Sequence, residues 1–344
     1  MDNIIDIDLI VRFKKVVAAS ANIIIVPHTN PDGDAIGASL GLKQILENLN
    51  KKVSVIVPNN FPDFLQWIEG SNEVIDFDQH KKKALEVFEQ ADTLFLLDFN
   101  DFERSEKMSK VLSSFKGETV MIDHHPEPVA PCNLIISYTQ VSSTCELLFR
   151  VLERAGLLNA LNTKGAEALF TGIMTDTGNF SYNASDPETY RIVAALLEKG
   201  IDKDQINANV YHTFSEDRWR LIGHSLKDKM VVLHEFNTAY ITLTKSELDS
   251  YNFQPGDTEG LVNFPLMVKG IVFCVLFMEK DGNVKLSLRS KGRFSVNRFA
   301  REHFSGGGHD NAAGGKSPLG MNDVIVQFES LLPQYKIQLR NSFN

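Results

Sequence analysis

The segment NIIIVPHTNPDGDAIGASLGLKQILENL, residues 22–49, joins a short apolar run to a helical pattern through a polar turn. Its first five residues, Asn22 to Val26, are predicted to form a buried strand, because four of them are β-branched. From Ala35 to Leu49, apolar residues recur at the spacing of one helical face. A strand that leads into a helix is the unit from which helix-covered parallel sheets are built. The segment therefore predicts an α/β fold.

The same alternation continues through the first half of the chain. Further strands are predicted at VSVIV (53–57), TLFLL (93–97) and TVMI (119–122). Helical patterns separate them, and the one that follows Ser143 begins with a good capping signal. We therefore expect residues 1–200 to form a domain with a parallel sheet and helices on both faces.

The second half of the chain has a different pattern. A polar helical stretch, residues 201–230, is expected to act as a helical linker, and residues 231–344 are expected to form a smaller α/β domain. Within that domain a hairpin turn is predicted at Asp281–Gly282, because Asp-Gly is a strong short-range turn signal. The expected architecture is thus two α/β domains joined by a helical linker.

Composition argues against several classes of protein. The 344 residues carry a net charge of -9, which disfavours a protein that coats long nucleic acid through many Lys and Arg contacts. No apolar run approaches the roughly 18 residues that a membrane span requires, and no signal peptide is visible. The cysteines, Cys132, Cys145 and Cys274, form no CxxC pair, which fits a reducing compartment. We expect a soluble cytoplasmic protein with no membrane partner.

Residue types that bind metals follow three of the predicted strands. They are His28, Asp32 and Asp34 after the first strand, Asp98 after TLFLL, and Asp123, His124 and His125 after TVMI. The carboxyl ends of parallel strands meet at one edge of a sheet, which is where ligands bind. These side chains are therefore expected to meet in one crevice.

A crevice with several carboxylates requires cations, because like charges otherwise repel one another and raise the pKa values. Mixed imidazole and carboxylate ligands favour a pair of Mn²⁺ ions, with Mg²⁺ and Co²⁺ as alternatives. Each motif alone also has a structural alternative: PDGD, residues 31–34, is a turn formula, and Asp98 is a candidate helix N-cap. Their common position at strand ends favours a metal site.

Between residues 23 and 182, four motifs in order resemble the DHH phosphoesterase family, named for the triplet that stands here at Asp123–His125. The motifs are HTNPDGDAIGAS, LLDFND, DHHPEP and TGIMTDTGNF, and the last adds Asp176. The resemblance implies two divalent ions, usually Mn²⁺. It assigns one ion to His28, Asp32 and Asp98. The second ion is assigned to Asp34, Asp98, His124 and Asp176, so that Asp98 bridges the two.

The resemblance also implies roles for neighbouring residues. His125 would face the substrate phosphate, and Asp123 would orient the groups around it. Near the C-terminus, FSGGGHDNAAGG (304–315) resembles the glycine-rich signature of the DHHA1 substrate domain. Its candidate substrate-binding residues are Gly306, Gly307, Gly308 and His309. Successive glycines let backbone N–H groups approach a phosphate.

A concentrated basic stretch precedes the glycines, and its alternative interpretation is a solvated basic face. From this stretch Arg289 is expected to hold the phosphate together with His125 and to support catalysis.

The two-domain architecture with GGGH is similar to that of the bacterial nanoRNase and 3′-phosphoadenosine-5′-phosphate (pAp) phosphatase group. This similarity implies a Mn²⁺-dependent phosphoesterase that hydrolyses short oligoribonucleotides, as a 3′–5′ exonuclease, and pAp through a water activated by two metals. Cyclic-di-AMP and pApA phosphodiesterases share the architecture and are the alternative. A nucleotide-binding regulator that has lost its chemistry is a second alternative. The sequence leaves the preferred substrate and the oligomeric state open, a homodimer included.

Overall fold

The computed structural model describes residues 4–280 and 282–342, and the chain divides into two compact units, Met1–Thr213 and Phe214–Asn344. The segment expected to link them, residues 201–230, contains helices on both sides of this division, Lys203–Tyr211 and Glu216–His224. The domain limits at residues 200 and 231 stay a prediction.

The first unit contains a parallel sheet of six strands in the order β3-β2-β1-β4-β5-β6. The strands are β1 (Asn22–Val26), β2 (Lys52–Val57), β3 (Ile75–Asp76), β4 (Thr93–Leu97), β5 (Glu118–Asp123) and β6 (Leu134–Ser137). The strand order reverses between β1 and β4, which makes that point of the sheet a topological switch point. In open α/β sheets, ligands bind beyond the carboxyl ends of the strands at such a point.

Helices cover both faces of this sheet. The helices are α1 (Ile7–Ala19), α2 (Gly33–Asn48), α3 (Phe77–Gln90), α4 (Ser109–Ser114), α5 (Thr144–Arg154), α6 (Thr163–Asp176), α7 (Pro187–Glu198) and α8 (Lys203–Tyr211). Successive side chains of β1 point to opposite faces: Ile23 and Ile25 join the core with α2, α5 and α6, whereas Ile24 and Val26 join the core with α3 and α4. The predicted parallel sheet with helices on both faces is confirmed.

Helix α2 follows the first predicted strand after the turn at residues 27–32. The Asp32 side chain caps it by accepting hydrogen bonds from the N–H groups of Asp34 and Ala35, which satisfies donors that have no partner within the helix. Glycines at every fourth position of α2 bring it close to α6. A Cβ at Gly37 would lie 2.5 Å from the carbonyl oxygen of Ala168, so only glycine allows this helix–helix distance.

The second unit is a smaller α/β domain with a mixed sheet in the order β11-β12-β10-β9-β8-β7. Its strands are β7 (Met230–Leu233), β8 (Thr238–Leu243), β9 (Phe273–Lys280), β10 (Asn283–Ser290), β11 (Gly307–His309) and β12 (Ala312–Ser317). Its helices are α9 (Glu216–His224), α10 (Lys245–Ser250), α11 (Val296–His303) and α12 (Met321–Arg340). Strands β8 and β9 are parallel, and the other neighbours are antiparallel.

Aromatic packing holds this second core together, where Phe273, Phe299 and Phe328 meet between the sheet and the helices. The β9–β10 hairpin pairs Lys280 with Asn283 at its end. The predicted turn at Asp281–Gly282 includes Asp281, which lies outside the described residues. Among the described residues, none of the helices combines the length and the apolar character that crossing a bilayer requires.

Replacing Gly37 by Ala is expected to lower the free energy of unfolding of the first unit by about 1–3 kcal/mol, because the new methyl group meets backbone that cannot rotate away. Urea denaturation followed by circular dichroism measures this. Gly223→Ala in the second unit is the control: Gly223 also lies in a helix, but among the described residues no atom beyond its own helical backbone and chain neighbours lies within 4 Å of its added Cβ. That variant should gain up to about 1 kcal/mol from helix propensity. Equal stability of Gly37→Ala and the unmodified chain would contradict the packing argument.

Candidate metal centre

Imidazole and carboxylate groups meet at the switch point of the first sheet, beyond the carboxyl ends of β1, β4 and β5. The structure brings together all six residues predicted as metal ligands. These are His28, Asp32, Asp34, Asp98, His124 and Asp176. They fall into two groups, and the ligand atoms within each group lie within 4.8 Å of one another. Asp98 belongs to the first group and also lies next to His124 of the second.

The first group is His28, Asp32 and Asp98. The His28 Nε2 atom lies 3.2 Å from Asp98 Oδ2 and 4.0 Å from Asp32 Oδ1. The other ring nitrogen, Nδ1, lies 2.8 Å from the carbonyl oxygen of Thr29, which accepts a hydrogen bond when Nδ1 carries the proton. This contact fixes the tautomer whose Nε2 lone pair is available to a metal.

The second group is Asp34, His124 and Asp176. The His124 Nε2 atom lies 3.5 Å from Asp176 Oδ2, 3.9 Å from Asp34 Oδ2 and 3.6 Å from Asp98 Oδ1. The two oxygens of Asp98 therefore approach different imidazoles, Oδ2 towards His28 and Oδ1 towards His124. A carboxylate placed in this way is suited to bridge two ions.

Asp98 owes its position to an unusual backbone conformation. Its φ angle is +55°, in the left-handed region that residues other than glycine rarely adopt. Its N–H still donates to the carbonyl oxygen of Ile122 in β5, as if the strand continued. The turn directs the carboxylate into the crevice, and Asp98 is only 2% exposed there. The alternative that Asp98 caps a helix is wrong, since no α-helix begins there.

Asp123 orients His125 from behind. The Asp123 carboxylate is buried, and its Oδ1 atom lies 2.8 Å from His125 Nδ1. Its Oδ2 atom accepts a hydrogen bond from the backbone N–H of His125 at 3.0 Å. His125 Nδ1 also lies 3.3 Å from Asp98 Oδ1. Burial alone would lower the pKa of His125, but the charges of Asp98 and Asp123 and the hydrogen bonds to them raise it to about 10.

The N-terminus of α5 holds two of the carboxylates that are predicted to bind metal. The N–H groups of Thr144 and Cys145 donate to the two oxygens of Asp34, at 2.6 and 2.9 Å, and the Thr144 hydroxyl donates to Asp98 Oδ1 at 3.1 Å. Helix N-termini stabilise negative charge in this way. The sequence marked Ser143 and Thr144 as a helix start but gave no sign that this start faces the crevice.

The electrostatics of the cluster favour bound cations. Burial is the main cause of the raised pKa of Asp34, and the nearby Asp98 and Asp176 carboxylates raise it further. Burial opposes ionisation of Asp98 too, but the imidazoles of His125 and His28 hold its pKa well below the usual range. Positive charge between these groups would stabilise the ionised form of every carboxylate.

The donor set fits divalent metal ions. Two ligands that each lie about 2.1 Å from an ion, at about 90–110° to one another, are roughly 3.0–3.4 Å apart. The separations of 3.2 to 4.0 Å observed here are close to that range and slightly wider. Asp32 and Asp176 leave 48% and 28% of their side chains exposed, so the cluster is open to solvent on their side.

In the second unit, two of the predicted substrate-binding residues lie in one row across the sheet. Arg289 of β10 and His309 of β11 both pair with Ala312 of β12, from opposite sides. Residues that pair directly across strands point to the same face, so these two side chains lie roughly 10 Å apart on one face. This arrangement suits a ligand that extends across three strands.

The glycines before His309 have packing reasons of their own. A Cβ at Gly306 would lie 2.0 Å from the carbonyl oxygen of Gly314, and one at Gly308 would lie 2.5 Å from that of Ala312. The Gly308 N–H donates to Asn297 Oδ1 at 3.1 Å. Gly307 has only ordinary contacts. The role of Gly306, Gly307 and Gly308 in binding phosphate stays a prediction, and close strand packing explains two of them without it.

Comparisons with known proteins agree with the observed fold. Residues 22–173 match the family model described as DHH family, N-terminal domain, and residues 237–332 match the DHHA1 domain. A solved structure of an exopolyphosphatase-related protein from Bacteroides fragilis is 43% identical, covers 99% of this chain and 100% of its own, and has a TM-score of 0.94.

Two curated proteins are also similar. One, from Thermus thermophilus, is named bifunctional oligoribonuclease and PAP phosphatase NrnA. It is 29% identical over 86% of this chain and 84% of its own length. The other is the cyclic-di-AMP phosphodiesterase GdpP of Bacillus subtilis, which is 26% identical over 94% of this chain but only 49% of its own length.

Replacing Thr144 by Val is expected to weaken Mn²⁺ binding about 10- to 100-fold, since it removes the hydroxyl that orients Asp98 and keeps the shape of the side chain. Isothermal titration calorimetry of the purified protein with Mn²⁺ gives the affinity. Thr144→Ser keeps the hydroxyl and is the matched control, with an affinity close to that of the unmodified chain. If Val and Ser bind Mn²⁺ equally well, the Thr144 hydroxyl does not position Asp98.

Proposed function

We propose that this chain, which belongs to the DHH family of phosphoesterases, uses two divalent metal ions to hydrolyse short oligoribonucleotides and pAp. The observation that carries the proposal is the cluster at the switch point of the first sheet, where Asp98 directs its two oxygens towards separate imidazoles. The likeness to the NrnA protein supports the choice of substrates. The catalysed reaction is hydrolysis of a phosphate ester.

Each ion has a set of residues suited to hold it. His28, Asp32 and Asp98 would hold one, and Asp34, His124 and Asp176 would hold the other together with Asp98. Imidazole mixed with carboxylate favours Mn²⁺ over Mg²⁺, which prefers oxygen ligands throughout. When bound, such ions lower the pKa of a coordinated water and offset the charge that develops on the phosphoryl oxygens.

The protein's own groups orient the phosphate. Asp123 and Asp98 keep a proton on Nδ1 of His125, so the opposite nitrogen, Nε2, is the one presented to a substrate oxygen. Both carboxylates that contact Nδ1 are buried and therefore shielded from water. Their contacts hold the orientation of the His125 ring throughout the reaction. His125 thus acts on the phosphate, and Asp123 acts through His125.

The second unit would bind a part of the substrate other than the phosphate that His125 contacts. Arg289 offers a fixed positive charge on the same face of its sheet as His309, and a guanidinium can form paired hydrogen bonds to a phosphate. Gly306, Gly307 and Gly308 lie directly before His309 in the same segment. We assign this row and this segment to the substrate rather than to the metals.

A cyclic-di-AMP or pApA phosphodiesterase is the second candidate function. The match to GdpP over 94% of this chain favours it. The same metal centre would serve both functions, because each requires water to attack a phosphate ester. The choice between them depends on which nucleotide the protein binds.

Replacing Asp98 by Ala is expected to lower the rate on pAp and pApA more than about a hundredfold and to abolish the stabilisation that Mn²⁺ gives against heat, since both groups of ligands lose a member. Chromatography of products from pAp, pApA, cyclic-di-AMP, short RNA and pyrophosphate, with Mn²⁺ present, measures the rates. The exposed Asp63 of the same unit, changed to Ala, is the matched control.

Three results of this panel have different meanings. Turnover of nucleotides that is lost in Asp98→Ala and kept in Asp63→Ala supports the proposal. Turnover that survives in Asp98→Ala contradicts the metal centre. Tight nucleotide binding without any turnover by the unmodified chain would instead favour a regulator that has lost its chemistry.

Substrate length gives a separate test. The acidic chain, with a net charge of -9, offers few of the phosphate contacts that long strands require. We expect RNA of about two to five nucleotides to be hydrolysed at least about tenfold faster than RNA of roughly 25 nucleotides at equal salt. Gel electrophoresis of end-labelled RNA measures both rates. Equal rates on the long and the short RNA would show that length is not selected.

A further inference from the structure

An open cleft of about 370 Å³ lies beside His125 in the first unit. It is lined by the segment after β5, by the residues after β6 and by the start of α1. The lining side chains that matter for its chemistry are Glu127, Tyr138, Thr139, Gln140 and His125. His125 is the residue that the proposed function assigns to the phosphate, so the cleft adjoins the reaction.

The lining of the cleft disfavours a second phosphate group. Among the described residues, those that line it include no Lys or Arg, and Glu127 adds a carboxylate. Apart from the His125 imidazole, a polyphosphate chain would therefore meet no cationic side chain among the described lining residues. The groups present are instead an aromatic ring, hydroxyls and an amide, from Tyr138, Ser137, Thr139 and Gln140. These are the groups that stack on a nucleobase and hydrogen-bond its edges and ribose.

The volume of the cleft limits what can occupy it. Pockets for small ligands range from about 300 to 1,000 Å³, and 370 Å³ lies near the lower limit of that range. One nucleoside is therefore a suitable occupant.

Tyr138 is held in place before any ligand binds. Its hydroxyl accepts a hydrogen bond from the backbone N–H of Asp6, at 3.1 Å, just before α1 begins. The Asp6 side chain in turn caps α1. A ring that is already ordered loses little conformational freedom on stacking, which favours binding.

We propose that this cleft is the subsite for one nucleoside of the substrate, the nucleoside esterified to the phosphate that His125 contacts. Tyr138 stacks on its base, and Thr139 and Gln140 hydrogen-bond its polar edges. The proposal rests on the proposed function and assigns a place in the first unit to one nucleoside of that substrate. No covalent step involves the cleft.

Removal of the Tyr138 ring and removal of one base from the substrate test the contact together. The enzymes are the unmodified chain and Tyr138→Ala. The substrates are pApA and two analogues, each without one of the bases. Tyr138→Ala is expected to lower kcat/KM on pApA about 10- to 100-fold. On the analogue that lacks the base bound in the cleft, the same substitution should change kcat/KM less than about twofold.

A conservative variant separates the ring from its hydroxyl. Tyr138→Phe keeps the ring but loses the bond to Asp6, and it is expected to restore most of the activity lost in Tyr138→Ala. If Tyr138→Phe falls as far as Tyr138→Ala, or if Tyr138→Ala slows all three substrates equally, Tyr138 supports the fold and the nucleoside subsite is wrong.

A binding measurement keeps this test independent of turnover. Calorimetry with adenosine 5′-monophosphate should show an affinity about tenfold weaker for Tyr138→Ala than for the unmodified chain. That difference would support the subsite even if no substrate were hydrolysed, in which case only the proposed function fails. Equal affinities would overturn the subsite while leaving hydrolysis untouched.

Discussion

The carboxylate of Asp98 is the group on which the rest of the centre depends. One oxygen lies 3.2 Å from an imidazole that follows β1, and the other lies 3.6 Å from an imidazole that follows β5. A buried carboxylate in this place is tolerated because imidazoles and the Thr144 hydroxyl surround it. The remaining acids repel one another unless cations lie between them. Bound metal ions would therefore supply the positive charge that offsets the carboxylates of this site.

The sheet, the helices and the local backbone each contribute to that position. The reversal of strand order between β1 and β4 opens the crevice. The left-handed conformation of Asp98 turns its side chain into the crevice, and the N-terminus of α5 holds Asp34 through two N–H groups. Close packing of α2 on α6, through glycines such as Gly37, fixes the distance between Asp34 and Asp176, which lie on these two helices. The left-handed backbone of Asp98 and the packing of α2 on α6 therefore both set the positions of the predicted metal ligands.

Much of this could be predicted from the sequence, because the relevant signals are local. The strand at Asn22–Val26, the strand at Thr93–Leu97 and the start of α5 after Ser143 have the predicted bounds. The meeting of the acidic side chains could be predicted because the carboxyl ends of parallel strands lie at the same edge of a sheet. The short strands β3 and β6 carried too little periodicity to be recognised, and α12 was not predicted either.

Contacts between distant segments could not be predicted. No local pattern shows that Thr144 reaches Asp98, that Tyr138 is tied to Asp6, or that Gly308 faces the backbone of Ala312. The glycine-rich segment illustrates the difficulty, since phosphate binding and strand packing both favour glycine, and no pattern in the sequence separates the two reasons.

Anomalous diffraction at the manganese absorption edge, from crystals grown with Mn²⁺, tests the central claim most directly. Two peaks are expected on either side of the Asp98 carboxylate, one against His28 and Asp32 and the other against Asp34, His124 and Asp176. A single peak that does not touch Asp98, or the absence of any peak at this edge of the sheet, would contradict the two-metal centre.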